Sequence, residues 1–344
     1  MLTARQQHAA TLLRDGHVLV AGGMGADERS TLTAELYDPQ SGNWAATGSM
    51  VTAISEPIAL RLGDGRVLVM SHDGREAQVY DPASGAWRAT GNLLQPRSSF
   101  TTSLLTDGRV LVIGGSASDA ALASAELYDP LSGSWTDAAP MSTPRMSHTA
   151  TVLADGRVLV VGGSTTTPGA AAAAATNAPS TAESGVLASA ELYDPTSNTW
   201  TATGALHLAR ALHAAAPLPD GRVVVLGGTT FVEPTGEAYD QASGNWVIAP
   251  RAASWMTPSA IVFRDGRVLL VDSLGSLEFY DPDAPAAWHG PMSSLHGSGA
   301  SATLLADGRV LFAGGVVLSS PGGYGLRSDH LASAHLLDPG AWSR

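Results

Sequence analysis

The chain has 344 residues and no cysteine, which excludes disulfides, thiolate nucleophiles and zinc–thiolate sites. All 19 basic residues are arginine, so Schiff-base chemistry on lysine is excluded as well. The 31 acidic residues give a formal net charge of −12, and the sequence has no basic stripe, so a nucleic-acid partner is not expected.

The first 13 residues lack the basic and apolar regions of a signal peptide. No apolar run approaches the ~20 residues that a membrane span needs. We therefore expect a monomeric cytoplasmic protein with no membrane partner, and secretion as part of a longer chain stays open.

A repeated segment organises the whole chain. It begins with an Asp-Gly pair and recurs seven times at intervals of 42 to 65 residues, at Asp15, Asp64, Asp107, Asp155, Asp220, Asp265 and Asp307. A second mark follows in each repeat, a turn segment that runs from Tyr-Asp to Trp in the first six, as in Tyr37 to Trp44, and from Leu337 to Trp342 in the seventh. The first three repeats have the full pattern Tyr-Asp-Pro-x-Ser-Gly-x-Trp. Self-similarity at such a period is typical of propellers and solenoids.

The first repeat predicts four short strands in chain order. Strand a covers residues 8–13 and ends at Asp15-Gly16, a pair favoured in two-residue type I′ hairpins. Strand b covers 18–21 and ends in a Gly pair, strand c covers 34–37, and strand d follows at Trp44. Four-stranded units that repeat in this way predict an all-β fold, a seven-bladed β-propeller of four-stranded antiparallel blades.

This order of strands, Gly pair, Tyr-Asp-Pro and Ser-Gly-x-Trp resembles the Kelch repeat, and the chain as a whole is distantly similar to the propeller domain of galactose oxidase. The resemblance implies a single domain over 1–344, with the innermost strands lining a central channel and the tryptophans packing between blades. It weakens in blades 2 and 6, where Ser71-His72 and Asp272-Ser273 replace the Gly pair. The predicted blades are 1–48, 49–91, 92–139, 140–204, 205–249, 250–291 and 292–344, with a low-complexity loop insertion over 164–188 in blade 4.

Chain direction assigns the loops to two faces. The a–b and c–d turns lie together on what we call the bottom face, where they are short and nearly identical. The b–c and d–a loops lie on the top face and differ between blades, so a binding site is predicted there, at the channel mouth.

Residues that depart from the repeat are the candidates for this site. Trp255, Tyr324 and Phe231 are aromatic residues outside the repeated positions, and His296 lies in the loop entering blade 7. Aromatic faces beside polar groups suit sugars, peptides or flat ligands. The alternative is that these side chains only pack long loops against the blades.

Four arginines share one position in the loops that enter blades 1, 3, 4 and 5, namely Arg5, Arg97, Arg145 and Arg210. In Kelch adaptor proteins this position binds acidic peptides, so the resemblance implies a binding role here. A structural role between blades is the alternative.

Three histidines begin strand a in blades 1, 4 and 5 and are each predicted to face the second glycine of the Gly pair: His8, His148 and His213. A packing role accounts for them, and no metal site is expected. In blade 2, His72 takes the place of that glycine and Glu56 is predicted to face Asp73. These three polar groups could form a general acid/base cluster, or they could be a solvated turn.

The favoured function is binding of a small molecule, glycan or acidic peptide at the top face, with no cofactor. The alternative is a cofactor-independent isomerase, cyclase or lyase that uses His72, Glu56 and His296 for acid/base chemistry. Galactose-oxidase-type copper chemistry requires a cysteine cross-linked to tyrosine, and the chain has no cysteine. A purely structural interaction domain is a third reading, and it would predict a featureless top face.

Overall fold

The computed structural model describes residues 1–167, 185–228, 235–251, 259–272, 275–282, 289–292, 298–319 and 327–339. These residues contain no α-helix, and antiparallel strands account for their regular structure. Six four-stranded sheets have the order a-b-c-d, and a seventh has strands a, b and c. The fold is the predicted seven-bladed β-propeller; strand d of blade 7, predicted at Trp342, lies outside the described residues.

Among the described residues, the strands of each blade follow one another without exchange between blades. Blades 1 to 3 comprise Ala9–Leu12, Val18–Ala21, Ala34–Tyr37 and Trp44–Ala46; Pro57–Arg61, Val67–Ser71, Ala77–Asp81 and Ala86–Ala89; and Thr101–Leu104, Val110–Ile113, Ala125–Asp129 and Ser134–Ala138. Blades 4 and 5 comprise Thr149–Val152, Val158–Val161, Ala190–Asp194 and Thr199–Thr203; and Ala214–Pro217, Val223–Leu226, Thr235–Asp240 and Asn245–Arg251. Blades 6 and 7 comprise Ser259–Val262, Val268–Val271, Leu277–Tyr280 and His289–Met292; and Ser301–Leu304, Val310–Ala313 and Ala334–Leu337.

Short two-stranded ladders extend the top loops of blades 1, 3 and 7. They pair Arg5–Gln6 with Met24–Gly25, Ser116–Ala117 with Ala120–Ala121, and Val316–Ser319 with Arg327–His330. The chain divides into two compact units. The first comprises residues 1–93, 273–276 and 293–344 and holds blades 7, 1 and 2; the second comprises 94–272 and 277–292 and holds blades 3 to 6.

The hydrophobic core lies between neighbouring blades within each unit. Alternate residues of a strand point to opposite faces of its sheet. In strand b of blade 4, Val158 and Val160 therefore pack against blade 3, whereas Leu159 and Val161 pack against blade 5. Because both faces are covered, strand b is apolar at every position, and full burial of one such side chain stabilises by about 1.5–3 kcal/mol.

The Tyr and Trp of the repeat also join blades, as blades 4 and 5 show. Tyr193 and Trp200 are paired across strands c and d of blade 4, with ring centroids 5.0 Å apart. The Trp200 Nε1–H donates to the carbonyl of Ala139 in blade 3 at 2.7 Å, and Trp246 donates likewise to Gly204 at 2.8 Å. The indole is therefore held between two blades, in the role that the Kelch resemblance implied.

The Asp-Gly turn differs from the predicted two-residue hairpin. In blade 4, Val152 is paired with Val158 and the amide of Gly156 donates to the carbonyl of Leu153 at 3.0 Å, which leaves three loop residues. Gly156 has a φ of 87°, the left-handed conformation of a three-residue loop. The predicted type I′ turn is wrong, and every residue of strand a faces a partner one position earlier in strand b than predicted.

Candidate functional site

We define the corner of a blade by four residues, two at the start of strand a and two at the end of strand b, which in blade 4 are Ser147, His148, Gly162 and Gly163. In blades 1, 4 and 5 the corner is closed by a buried histidine and two glycines. A Cβ on Gly163 would lie 2.8 Å from the Cβ of His148, and a Cβ on Gly162 would lie 2.9 Å from the Cε1 of His213 in blade 5. The first glycine therefore makes room for the next blade's imidazole and the second for the histidine of its own blade.

Each of these histidines forms a side-chain hydrogen bond with the preceding blade. His148 Nε2 lies 2.9 Å from Thr101 Oγ1, His213 Nε2 lies 2.9 Å from Thr149 Oγ1, and His8 Nε2 lies 2.8 Å from Ser301 Oγ. Burial lowers the pKa of His8 and of His148 to about 3 and lowers that of His213 well below its ordinary value. The imidazoles are neutral and serve the contact between blades, which agrees with the predicted packing role.

The four arginines of the top loops are buried in the same region. Arg145 donates Nη1 to the carbonyl of Gly162 at 2.8 Å and Nη2 to Glu191 at 2.8 Å, both in blade 4. Its backbone N–H donates to Leu122 of blade 3, and its carbonyl accepts from Gly115 of that blade. One residue therefore joins two blades, and we call this Arg–Glu pair the interblade clasp.

The Arg–Glu pair recurs in blades 1, 3 and 5, where the arginine also donates Nη1 to the carbonyl of the first glycine after strand b. Its side-chain pairs are Arg5–Glu35 at 2.8 Å, Arg97–Glu126, Arg145–Glu191 at 2.8 Å and Arg210–Glu237 at 3.1 Å. All four guanidinium groups have no exposed side-chain surface, so a ligand at the protein surface does not reach them. We therefore assign these four arginines to the scaffold, the structural alternative for this position, and not to a surface that binds acidic peptides.

Blade 2 lacks both parts of the clasp. Ile54 stands at the arginine position and Gln78 at the glutamate position, so a neutral pair replaces the ion pair. The Ile54 carbonyl still accepts from Gly23 of blade 1 at 2.9 Å. Gln78 accepts from the amide of Val51 at 2.7 Å and donates to the carbonyl of Thr52 at 2.8 Å. The substitution of both residues leaves no buried charge without a partner.

The corner of blade 2 carries polar side chains in place of the histidine and glycines. The amide of His72 donates to the carbonyl of Glu56 at 3.1 Å, and His72 Nδ1 lies 3.5 Å from Glu56 Oε2. Gln7, from the corner of blade 1, donates Nε2 to Glu56 Oε1 at 2.6 Å. The side chains of His72 and Glu56 are 36% and 43% exposed, so this cluster is open to a ligand. We call Gln7, Glu56 and His72 the blade-2 cluster.

Asp73 does not face Glu56 as predicted. The one-residue shift in the a–b hairpin places His72 opposite Glu56, and Asp73 instead accepts from Ser71 Oγ at 2.9 Å within the b–c turn. The predicted convergence is therefore confirmed for Glu56 and His72 and is wrong for the pairing of Glu56 with Asp73.

The sequence analysis did not predict Gln7 as a site residue, although Gln7 occupies the same repeat position as Glu56. Gln7 and Glu56 hold the same position of the repeat, and three other non-glycine residues there, Ser99, Ser147 and Leu212, have a φ between 52° and 56°, as does Gln7. Glu56 is absent from this left-handed set because Pro57 follows it and restricts it to extended conformations. The proline thus gives Glu56 a backbone conformation that its equivalents in blades 1, 3, 4 and 5 lack.

The remaining predicted site residues, Phe231, Trp255, His296 and Tyr324, lie outside the described residues. So does most of the predicted insertion, residues 168–184. Its two ends are described and pair with each other through a bridge between Ser164 and Val186.

Comparison with known proteins supports the fold and leaves the site open. A Kelch motif matches residues 97–142, which cover blade 3 and the loop after it. A structure described as a novel fungal alcohol oxidase with catalytic diversity among the AA5 family, in complex with copper, is similar with a TM-score of 0.69 over 91% of this chain and 70% of its own, at 18% identity. No curated protein has a significantly similar sequence. The chain is a β-propeller of antiparallel blades, and its repeat over residues 97–142 matches the Kelch motif.

These similarities do not show what this protein binds or catalyses. Because 1261 solved chains match, the fold alone does not select an activity. In the part of the chain that the structure describes, no group of three His, Cys, Asp or Glu side chains could hold a metal ion, so those residues do not fit the neighbour's copper. No helix within the described ranges is long and apolar enough to cross a membrane.

Proposed function

We propose that this protein is a binding module that recognises a polar ligand at the top face, with the blade-2 cluster as part of its site. The observation that supports it is the contrast between corners. Buried histidines close the corners of blades 1, 4 and 5, whereas the side chains of Glu56 and His72 in the corner of blade 2 are partly exposed to solvent.

The chemistry of the cluster indicates the class of ligand. The Glu56 carboxylate accepts hydrogen bonds, the His72 ring both donates and accepts, and the Gln7 amide holds one carboxylate oxygen in place. Such a set fits the hydroxyls of a glycan or the N–H groups of a peptide or small molecule. The sequence also predicts aromatic residues on the top face, Trp255, Tyr324 and Phe231, and flat apolar surfaces of this kind suit a sugar or peptide ligand.

A thermal-shift screen with monosaccharides, amino acids and short acidic peptides tests the proposal. A genuine ligand should raise the melting temperature of the wild type and should lose that effect in Glu56→Gln and His72→Ala. Arg157→Ala, on the bottom face, is the matched control and should keep the effect. Ligands that stabilise the wild type and both cluster variants equally would place the site elsewhere.

The second candidate function is acid/base catalysis at the same cluster. The contact of 3.5 Å between Glu56 Oε2 and His72 Nδ1 favours it, because a carboxylate on one imidazole nitrogen orients the other as a proton acceptor. NMR of each bound compound would distinguish the two functions. Turnover that disappears in His72→Ala while binding survives would establish acid/base catalysis. Binding without turnover in the wild type would support the binding module.

A further inference from the structure

The bottom face of blade 1 departs from the repeat at one residue. In six blades the residue after the Asp-Gly pair is an arginine, and in each the Nε donates to the aspartate of the same turn, as Arg109 does to Asp107 at 2.8 Å. In blade 1 this residue is His17. Its ring lies near the turn aspartate, with Nδ1 3.2 Å from Asp15 Oδ2.

The repeated arginine also reaches the next blade. Arg109 of blade 3 donates Nη2 to the carbonyl of Pro195 in the c–d turn of blade 4 at 3.4 Å. Arg309 of blade 7 donates likewise to Pro39 of blade 1 at 3.3 Å. At these two junctions a guanidinium group therefore spans from the a–b turn of one blade to the c–d turn of the next.

Between blades 1 and 2 the equivalent space is a pocket of about 270 Å³, whose lining includes Leu13, Asp15, Asp81 and Pro82. The imidazole of His17 is shorter than an arginine side chain. Among the described residues none donates a hydrogen bond to the Pro82 carbonyl, the equivalent of the carbonyls that Arg109 and Arg309 bind.

The two arginines that line the pocket are engaged elsewhere. Arg14 donates to the carbonyl of Gly63 and lies along Gly65, in the a–b turn of blade 2. Arg66 is held by Asp64, with Nε 2.7 Å from Oδ2. Asp81 accepts from Ala83 and Ser84, and these hydrogen bonds lower the pKa of its carboxyl, so it is charged. Acceptors for a cation therefore remain at Asp15 and Pro82.

We propose that this pocket binds a guanidinium group supplied from outside the chain. Asp15 accepts the amide N–H two residues on at 3.1 Å, as Asp107 does at 3.0 Å, so its carboxylate has the same local geometry as the one that holds Arg109. A planar guanidinium group carries several N–H donors in one plane and can hydrogen-bond a carboxylate and a carbonyl at once. A compact ammonium group lacks this planar arrangement of donors. The net charge of −12 attracts such a cation toward the protein.

Titration calorimetry of the full chain tests the proposal with two millimolar guanidinium probes. Ethylguanidinium represents a free ligand, and the peptide Gly-Gly-Arg-Gly-Gly represents a partner's side chain. Each should bind saturably with one site per chain, whereas ethylammonium and the matching lysine peptide should not. Tighter binding of the peptide would identify a protein side chain as the source, and equal binding would identify a free guanidinium compound.

Two variants separate this pocket from general cation binding. His17→Arg restores the repeat residue, which should occupy the pocket and weaken both probes by at least about tenfold. Arg309→His removes the guanidinium between blades 7 and 1 and should raise the number of sites from one to two. Unchanged binding in His17→Arg, or no saturable binding to the wild type, would overturn the proposal.

Discussion

The corners of blades 2 and 4 occupy the same repeat positions and use them in opposite ways. In blade 4, His148 is buried over glycine and Arg145 is bonded to Glu191, so polar residues serve the blade interface. In blade 2 the arginine and glutamate become Ile54 and Gln78, and Glu56 and His72 are half-exposed. The comparison teaches that a polar residue at a repeated position has a structural role in those blades that also keep its hydrogen-bonding partner, as the arginine and glutamate do together.

The largest expected effect comes from breaking one clasp. Arg145→Ile should lower the free energy of unfolding by about 3–5 kcal/mol, because it leaves the Glu191 carboxylate buried and without its charge partner. Urea denaturation measures the change. The double variant Arg145→Ile with Glu191→Gln copies the pair of blade 2 and should recover most of the loss. A single variant as stable as the wild type would show that the clasp is dispensable.

The tryptophan between blades should give a loss of similar size. Trp246→Ala removes a side chain that is 6% exposed and should cost about 3–5 kcal/mol in the free energy of unfolding. Trp246→Phe keeps an aromatic ring but loses the Nε1–H donated to Gly204, so it should cost less. Equal losses in the two variants would contradict a packing role for the ring.

The buried histidines should make stability depend on pH in a defined window. The pKa of His148 is about 3 in the folded chain, lowered by burial, and about 6.5 when unfolded, so between these values the unfolded chain binds more protons. Stability is therefore full above pH 6.5 and falls as the pH decreases toward 3, by up to about 1.4 kcal/mol per pH unit for one histidine.

Blade 3 provides the matched control for this effect, because Phe100 holds the histidine position there. His148→Phe should reduce the slope of unfolding free energy against pH, measured by urea denaturation between pH 5 and 6.5. His8 and His213 stay buried in that variant and should still contribute to the slope. An unchanged slope would show that His148 does not titrate on unfolding in this window.

The smallest effects on stability are expected in the blade-2 cluster. Glu56→Gln and His72→Ala should each change the free energy of unfolding by less than about 0.5 kcal/mol, because both side chains are half-exposed. Calorimetric unfolding of these variants beside Arg145→Ile sharpens the contrast between the two corners. Losses as large as in Arg145→Ile would make the cluster part of the scaffold.

The repeat could be read directly from the sequence because each blade builds the same local structure. The positions of Asp155 and Trp200 define the turn and strand d of blade 4, and both lie where the prediction placed them. The hairpin register could not be read so easily, since Asp-Gly occurs in two-residue and three-residue loops alike. This one-residue difference decides that Glu56 faces His72 and not Asp73.

The sequence by itself therefore determined the seven repeats, their strands and the positions at which blade 2 departs from the rest. Only the tertiary structure decided that Arg145 is buried between two blades, that Gln7 reaches Glu56, and that the absence of an arginine at His17 coincides with a pocket. The physical reason is that local turns and strand periodicity depend on neighbours along the chain. Burial and pairing of a side chain depend also on the adjacent blade, whose residues lie far away in the sequence; Gln7 and Glu56, for example, are 49 positions apart.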